Sequence, residues 1–489
     1  MKIKSFLSLA LMALGVLSSS AQDPWLHIYY PSAKNFTQYD MNEVLDISFD
    51  EEAGTMTVNT EADGAQSISL GVIDRFVIGP NVCRIDIDTD LKTYDETFGY
   101  YYEGMPVTEI VSKTVYLDGT MTFNGRGIFE DVVCPVKIRG RGNSTWSHSK
   151  KPYRLKFTEK QKLGNIHKAK NLVLLANYLD GSMMKNHAAF AFGKVIGMPF
   201  INRSLAVDVY LNGNYKGAYQ LTEKVGINNG SVDLSKEDEP NSILFELDTN
   251  SADEDEYPST DSHYGIPIRI KDPDAPEDYA ERETWLDYWR SDLEELFDAA
   301  ATENPTKIFS QCNLETLVKY VMVYDIACNQ ELNHPKSVYL HKTIGGLWEF
   351  GPCWDFDWAY GYQPTYTKGQ QGDSWWWNPV TYPDYENPLI GFGSSSNQGG
   401  NEFFYALCNN EVFLAKFKEI WDDFYQNKQA EFWAAFDEYA ASMTPSAALQ
   451  AGYRDQYVGW ESQVETLRQW IQNRFDYINS DPNYGLWED

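Results

Sequence analysis

Between residues 23 and about 110, apolar and polar positions alternate in short runs separated by turn residues: LHIYY, LDISFD, GTMTVNT, QSISLGV, DRFVIG and CRIDIDT. A period of two with β-branched enrichment predicts half-buried strands, so residues 22–110 are expected to form a β-rich module, sandwich-like, serving as a spacer or docking unit. From about 111 the pattern changes. TVYLDGTMTFNG reads as a hairpin, and VCPVKIRGRG with KPYRLKFT as a strand pair around a glycine turn. NLVLLANYLDGSMMKNHAAFAFGKVIG reads as a buried strand or helix followed by an amphipathic helix, with Asp180 or Ser182 as N-cap. RSLAVDVYLNGNYKGAYQLTEKV is the clearest hairpin, turning at Asn212-Gly213-Asn214. After the acidic run SADEDEYPSTDS, helices are predicted over 274–300, 305–330, 402–443 and 445–479. Phe432, Trp433, Phe436, Trp460, Leu467 and Trp470 recur there at helical spacing and read as core. The fold class is therefore α+β: the N-terminal module, then a domain over 111–482 with a strand-rich part at about 111–230 and a helical part at about 274–482.

At 489 residues the chain can bury more than one core. MKIKSFLSLALMALGVLSSSAQ has a basic start, a short apolar run and small residues before Gln22, which predicts a signal peptide at 1–21 and an exported protein, in the periplasm, at the cell surface or secreted. The apolar run is too short to span a bilayer, and no later run approaches spanning length. The formal net charge of −31 argues against a nucleic-acid partner, because a phosphate backbone would be repelled by most of the surface. Any phosphate ligand needs a local basic pocket. The six cysteines are scattered without metal-binding spacing and read as buried apolar residues, although disulfides are permitted outside the cytosol.

The basic pocket has one candidate, VKIRGRGNSTWSHSKKPYRLKF at 136–157. Residues without a Cβ let backbone N–H groups approach phosphate oxygens, and Arg139, Arg141, Lys151, Arg154 and Lys156 add positive charge. Lys156 alternates with Leu155 and Phe157 and so points to the opposite face. A solvated basic hairpin is the plainer alternative. The acidic counterpart is WEFGPCWDFDWAYG at 348–361, where Asp355 and Asp357 share a face if the chain is extended. Carboxylates in an aromatic setting suit a divalent metal; the alternative is a pair of turn-capping aspartates. Upstream, YDIACNQELNHPKSVYLHK offers Asp325, Asn329, Glu331, Asn333 and His334 before a predicted strand. His334 could act as a base, but no thiol or serine motif accompanies it, and a surface or supporting role fits it better.

GRGNSTW with KKPYRLKF, LLANYLDGSMMKN, YLNGNYKGAYQLTEKV and WDFDWAYG, in this order from about 112 to 365, resemble the spore-coat CotH kinase family. The resemblance implies an atypical protein-kinase-like fold that binds ATP with Mg2+ and phosphorylates Ser or Thr of secreted or coat proteins. It implies that Lys156 binds phosphate, that Gly140, Arg141, Gly142, Asn143, Ser144 and Thr145 form the loop over the nucleotide, and that Glu223 sits at an adenine-contacting hinge. It makes Asp355 the metal-binding Asp, with Asp357 as helper. The family typically has Asn-x-Asp ahead of the strand, whereas NQE places Glu331 at that position, as catalytic residue and further metal ligand.

Glu keeps the charge but adds a methylene, and a misplacement of about an ångström can cost about a hundredfold in rate. Three outcomes follow: the site has adjusted around Glu331, Asp325 serves instead, or the chain binds nucleotide without efficient transfer. In the last case the protein would be a surface module recognising glycan or protein partners, with GDSWWWNPVTYPDY at 372–385 as a sugar-stacking platform; a lid or docking loop is the alternative for that segment. SADEDEYPSTDS lacks the spacing of a calcium loop and reads as a solvated run.

Overall fold

Alternating apolar residues from Cys83 onward build a seven-stranded closed barrel in the computed structural model of the chain. The structure describes residues 25–29, 36–73, 75–79, 82–90, 92–95, 99–103, 109–248, 264–333, 335–368, 375–381, 399–450, 459–481 and 484. The expected leader at 1–21, the acidic run at 251–262, His334 and much of the tryptophan-rich loop lie outside these residues. The chain groups into two units. One comprises Met1–Gly181, Ser204–Thr222 and Asp437–Ser462; the other comprises Ser182–Arg203, Glu223–Phe436 and Gln463–Asp489.

In the first unit, β1 (Trp25–Tyr29), β2 (Phe36–Asp40), β3 (Val44–Asp50), β4 (Thr55–Thr60), β5 (Gly64–Ser69) and β6 (Arg75–Gly79) form two three-stranded sheets, β2-β1-β6 and β3-β4-β5. Leu26 and Ile28 of one sheet meet Met56 and Val58 of the other in one small core. Among the described residues, β7 (Cys83–Thr89) does not join them, and β8 (Lys92–Asp95) pairs only with β9 (Tyr100–Glu103). The barrel runs in the order β10 (Leu117–Asn124), β11 (Val132–Gly140), β12 (Tyr153–Gln161), β13 (Ala169–Leu175), β15 (Asn214–Glu223), β14 (Leu205–Leu211), β7. β7 closes it by pairing parallel with β14 and antiparallel with β10. The expected module boundary near 110 therefore does not coincide with a break between sheets. Ile85 and Ile87 of β7 are fully buried with Phe123, Ile138, Leu155, Leu172, Val207 and Leu221, and this larger core offers them more apolar contact.

TVYLDGTMTFNG is one strand rather than a hairpin. A Cβ on Gly119 would collide with Asp88 O and Thr89 Cα of β7, so this glycine permits close strand approach where a turn was expected. The β11–β12 pair matches expectation, with Gly140 opposite Tyr153. So does the β14–β15 hairpin, where Asn212 (φ +47°) and Gly213 (φ +76°) form a two-residue left-handed turn.

The second unit carries a sheet of order β17-β16-β18-β19, from β16 (Ser242–Leu247), β17 (Ile268–Asp272), β18 (Val338–Thr343) and β19 (Glu349–Phe350). The described helices are α1 (Lys185–Val195), α2 (Tyr279–Ala301), α3 (Pro305–Gln311), α4 (Leu314–Ile326), α5 (Gly400–Cys408), α6 (Glu411–Asp423), α7 (Gln429–Gln450) and α8 (Trp460–Ser480). None is long and apolar enough to cross a membrane. α1 is buried on most of its surface rather than amphipathic, and its N-cap is Met184; Ser182 Oγ accepts the Met184 N–H. The helix expected over 305–330 breaks at Asn313, whose side chain accepts the N–H groups of Glu315 and Thr316 and so starts α4 afresh. Every residue of α4 from Thr316 to Ile326 is buried. Phe432, Phe436, Trp460 and Leu467 are buried, as their helical spacing predicts. Cys83, Cys134, Cys312, Cys353 and Cys408 are buried too, and burial pushes the Cys83 and Cys312 thiols up to about 12.

α8 is tied to α4 by charge. Arg474 Nη2 donates to Asp325 Oδ1 at 3.1 Å, Tyr484 Oη donates to Asp325 Oδ2 at 2.7 Å, and both Arg474 and Asp325 are fully buried. Asp325 is thus a helix-packing residue, which removes the alternative of Asp325 as a substitute catalytic acid. Asp325→Ala strands the Arg474 cation out of water and is expected to cost about 3–5 kcal/mol, read as a lower urea midpoint with an unchanged slope.

Candidate active site

Residues 351–356 adopt no regular structure, and Asp355 has a left-handed φ of +66°. Asp355 and Asp357 therefore do not share a strand face, contrary to the reading of an extended chain. An irregular buried segment must find partners for its own N–H and C=O groups. Here side chains supply them. Tyr324 Oη donates to Trp354 O at 3.3 Å, Asn329 Nδ2 to Asp355 O at 3.1 Å, and Lys185 Nζ to Asp357 O at 3.3 Å. The Phe356 N–H donates to Asn186 Oδ1 at 2.8 Å, and Asn186 Nδ2 donates to Asp357 Oδ1 at 2.6 Å. The aromatic neighbours seat the segment: Phe356 against Tyr324, with ring centroids 5.0 Å apart, and Trp354 against Phe190 at 6.1 Å.

Glu331 lies just beyond α4 in the short helical turn Gln330–Leu332. Its N–H donates to Asn329 Oδ1 at 3.0 Å, so the Asn329 amide joins the backbone of Glu331 to that of Asp355. α5 braces the following turn. The Asn401 N–H donates to Asn333 O at 3.0 Å, and a Cβ on Gly400 would collide with Leu332 O and the Pro335 ring. Glu331 is buried, and no described residue hydrogen-bonds its Oε2. Burial pushes its carboxyl well above the ordinary glutamate range; Asp355 pushes it further, Lys336 opposes, and Asp248 and Asp357 add to the rise. Glu331, Asp355 and Asp357, each singled out from the sequence, thus share one electrostatic neighbourhood with Asp248. Among the described residues, no three acidic, histidine or cysteine side chains converge closely enough to hold a metal ion unaided. Glu331, Asp355 and Asp357 offer carboxylate oxygens, a hard donor set.

The basic turn in the first unit is packed by its own side chains. A Cβ on Gly140 would fall on the Trp146 ring, and one on Gly142 (φ +86°) would meet Thr145 Oγ1. These glycines make room for the turn's own side chains. Lys151 Nζ donates to Trp146 O at 2.7 Å and His148 O at 3.3 Å, buttressing the turn. Arg141 N–H donates to Pro152 O, and Asn143 O accepts from Trp146 N–H. Ser144 starts a short helical turn there. Lys156 is exposed while Leu155 and Phe157 are buried, as alternation predicts. Arg139 sits directly opposite Arg154, and Lys137 opposite Lys156. Arg139, Arg154 and Lys156 lie 5.1, 6.0 and 5.9 Å from the centre of the Tyr116 ring. Glu223 is fully buried in the second unit, its Oε2 accepting the Arg203 N–H at 2.9 Å.

Sequence reasoning passed over Asn186, Lys185, Asp248 and Lys150. Lys150 Nζ donates to Ala218 O at 2.5 Å beside the Tyr219 ring, and burial lowers its pKa to about 7, with Asp208 opposing. A second lysine in KKPYRLKF was the only available signal for it.

A family model described as CotH kinase protein matches residues 138–478, the bulk of the chain. No curated protein matches it.

Because the folded chain holds the Glu331 proton more tightly than the unfolded chain, the stability this protonation contributes is complete below the ordinary glutamate value of about 4.3 and is lost as pH rises toward the elevated value. Glu331→Gln mimics the protonated acid at every pH. Its melting temperature is expected to match the wild type near about pH 4 and to exceed it by a growing margin toward about pH 8 in parallel thermal melts.

Proposed function

This chain belongs to the CotH kinase family, and we propose that it is an exported phosphotransferase that moves the γ-phosphate of ATP, with Mg2+, to a Ser or Thr hydroxyl of an extracytoplasmic protein. The observation that carries the reading is the buried Glu331 carboxylate, with one oxygen that no described residue satisfies, set beside Asp355, Asp248 and Asp357. So much negative charge out of water is costly unless a ligand brings positive charge to it.

Asp355 and Asp357 are the residues that would hold Mg2+, with Glu331 beside them. The bound ion would neutralise charge on the transferring phosphoryl oxygens. Glu331 would accept the proton of the acceptor hydroxyl once a bound cation offsets the neighbouring carboxylates and lets it ionise. Asn329 would keep Glu331 in register with Asp355 during that transfer. Arg139, Arg154 and Lys156 would take the phosphate charge. Like charges placed directly opposite on neighbouring strands destabilise a sheet, and an anion laid over Arg139/Arg154 and Lys137/Lys156 would relieve that repulsion.

The test is a thermal melt of the mature protein with ATP and Mg2+, beside Lys156→Ala and Asp355→Ala. A ligand that binds only the folded chain at a hundredfold excess over its Kd adds about 2.7 kcal/mol of stability. The expected result is a Mg2+-dependent rise in Tm that both variants lose; an unchanged Tm at millimolar ATP would sink the nucleotide reading and leave the binding-module alternative. In the same preparation Glu331→Asp is expected to change the transfer rate by up to about a hundredfold while leaving the nucleotide-induced rise in place.

A further inference from the structure

We infer that Asn186, in the first turn of α1, is the positioning residue that sets the direction of the acid pair Asp355 and Asp357. The inference rests on the reading that this pair holds the cation of the proposed reaction. Asn186 is 2 % exposed and touches the DFD segment at two points: its Oδ1 accepts the Phe356 N–H at 2.8 Å, and its Nδ2 donates to Asp357 Oδ1 at 2.6 Å. The amide orientation is fixed by its partners. A main-chain N–H can only donate and an ionised carboxylate can only accept, so one end of the Asn186 side chain must face each.

Two consequences follow for the acids. The bond to Asp357 fixes the place of Oδ1 of that carboxylate. The bond to Phe356 N–H acts on Asp355, one residue earlier. A left-handed φ of +66° is sparsely populated for Asp and persists only where neighbouring contacts hold it. Here the peptide that follows Asp355 is held at both ends, its N–H by Asn186 and its carbonyl by Asn329 Nδ2, and the preceding peptide is held at the Trp354 carbonyl by Tyr324 Oη. Lys185, the preceding residue of α1, secures Asp357 O at 3.3 Å, so one helical turn supplies three of the contacts that shape the segment. No aspartate serves in place of Asn186. A carboxylate keeps the acceptor for Phe356 N–H but loses the donor, and it places a further negative charge against Asp357.

The experiment compares wild type, Asn186→Asp and Asn186→Leu by two readouts. The first needs no ligand: hydrogen exchange of the peptide covering residues 353–360, with peptides from α4 and α1 as internal controls. The second is the Mg2+ concentration at half-maximal ATP-induced stabilisation. Asn186→Asp is expected to fold, to lose protection at 353–360 while α4 keeps its own, and to raise the Mg2+ midpoint by about 10- to 100-fold, the usual effect of removing a group that orients a metal ligand. Asn186→Leu should do the same without the added charge. If it fails to fold, the aspartate variant decides. A folded variant with unchanged exchange at 353–360 and an unchanged Mg2+ midpoint overturns the inference while the nucleotide reading stands. If the wild type itself shows no response to Mg2+ and ATP, that reading falls, and the exchange data alone decide whether Asn186 orients the segment.

Discussion

Carboxylates repel one another most strongly where water is scarce, and the centre of the second unit is shaped by keeping Glu331, Asp248, Asp355 and Asp357 close together under that condition. One lysine, Lys336, opposes them at Glu331. Elsewhere in the same unit negative charge is matched directly: Asp325 with Arg474, Glu246 with Lys271, Asp292 with Lys342.

Neutral amides do much of the holding at the cluster, beside Lys185 Nζ at the Asp357 carbonyl. Asn186 and Asn329 each act as donor and acceptor, so they bind the backbone of an irregular segment without adding charge to a site that already has an excess. A helix or strand would have satisfied those backbone groups internally, but it would also have imposed a regular direction on the acids. Giving up regular structure over 351–356 frees Asp355 to take its left-handed conformation, and the apolar packing of Trp354 and Phe356 offsets the cost.

Much of this was legible in the sequence wherever the physics is local. Alternation put Leu155 and Phe157 inside and Lys156 outside, Asn212-Gly213 wrote out its own turn, and WDFD stood out as acids among aromatics. What stayed hidden depends on contacts distant in sequence. Asn186 and Asp357 are 171 residues apart, and nothing around either announces the other. Gly119 looked like a turn because an Asp-Gly pair is a turn signal, whereas its real constraint is the backbone of β7 passing beside it. Alternation marked β7 as a strand but could not say which sheet would recruit it. The glycines of the basic turn raised a similar ambiguity, since the space they leave can be taken by a ligand or by the chain itself, and Trp146 takes it at Gly140.

The recruitment of β7 bears on where this protein can be divided. The segment matched by the family begins at residue 138, inside β11, so β7, β10 and most of β11 precede it. Without them the barrel would become an open sheet with β12 and β14 as bare edges, each presenting unpaired main-chain N–H and C=O groups. Exposed edges of that kind recruit strands from other molecules. A fragment cut at the family boundary would therefore tend toward intermolecular pairing and aggregation, and the region defined by descent is shorter than the region able to fold.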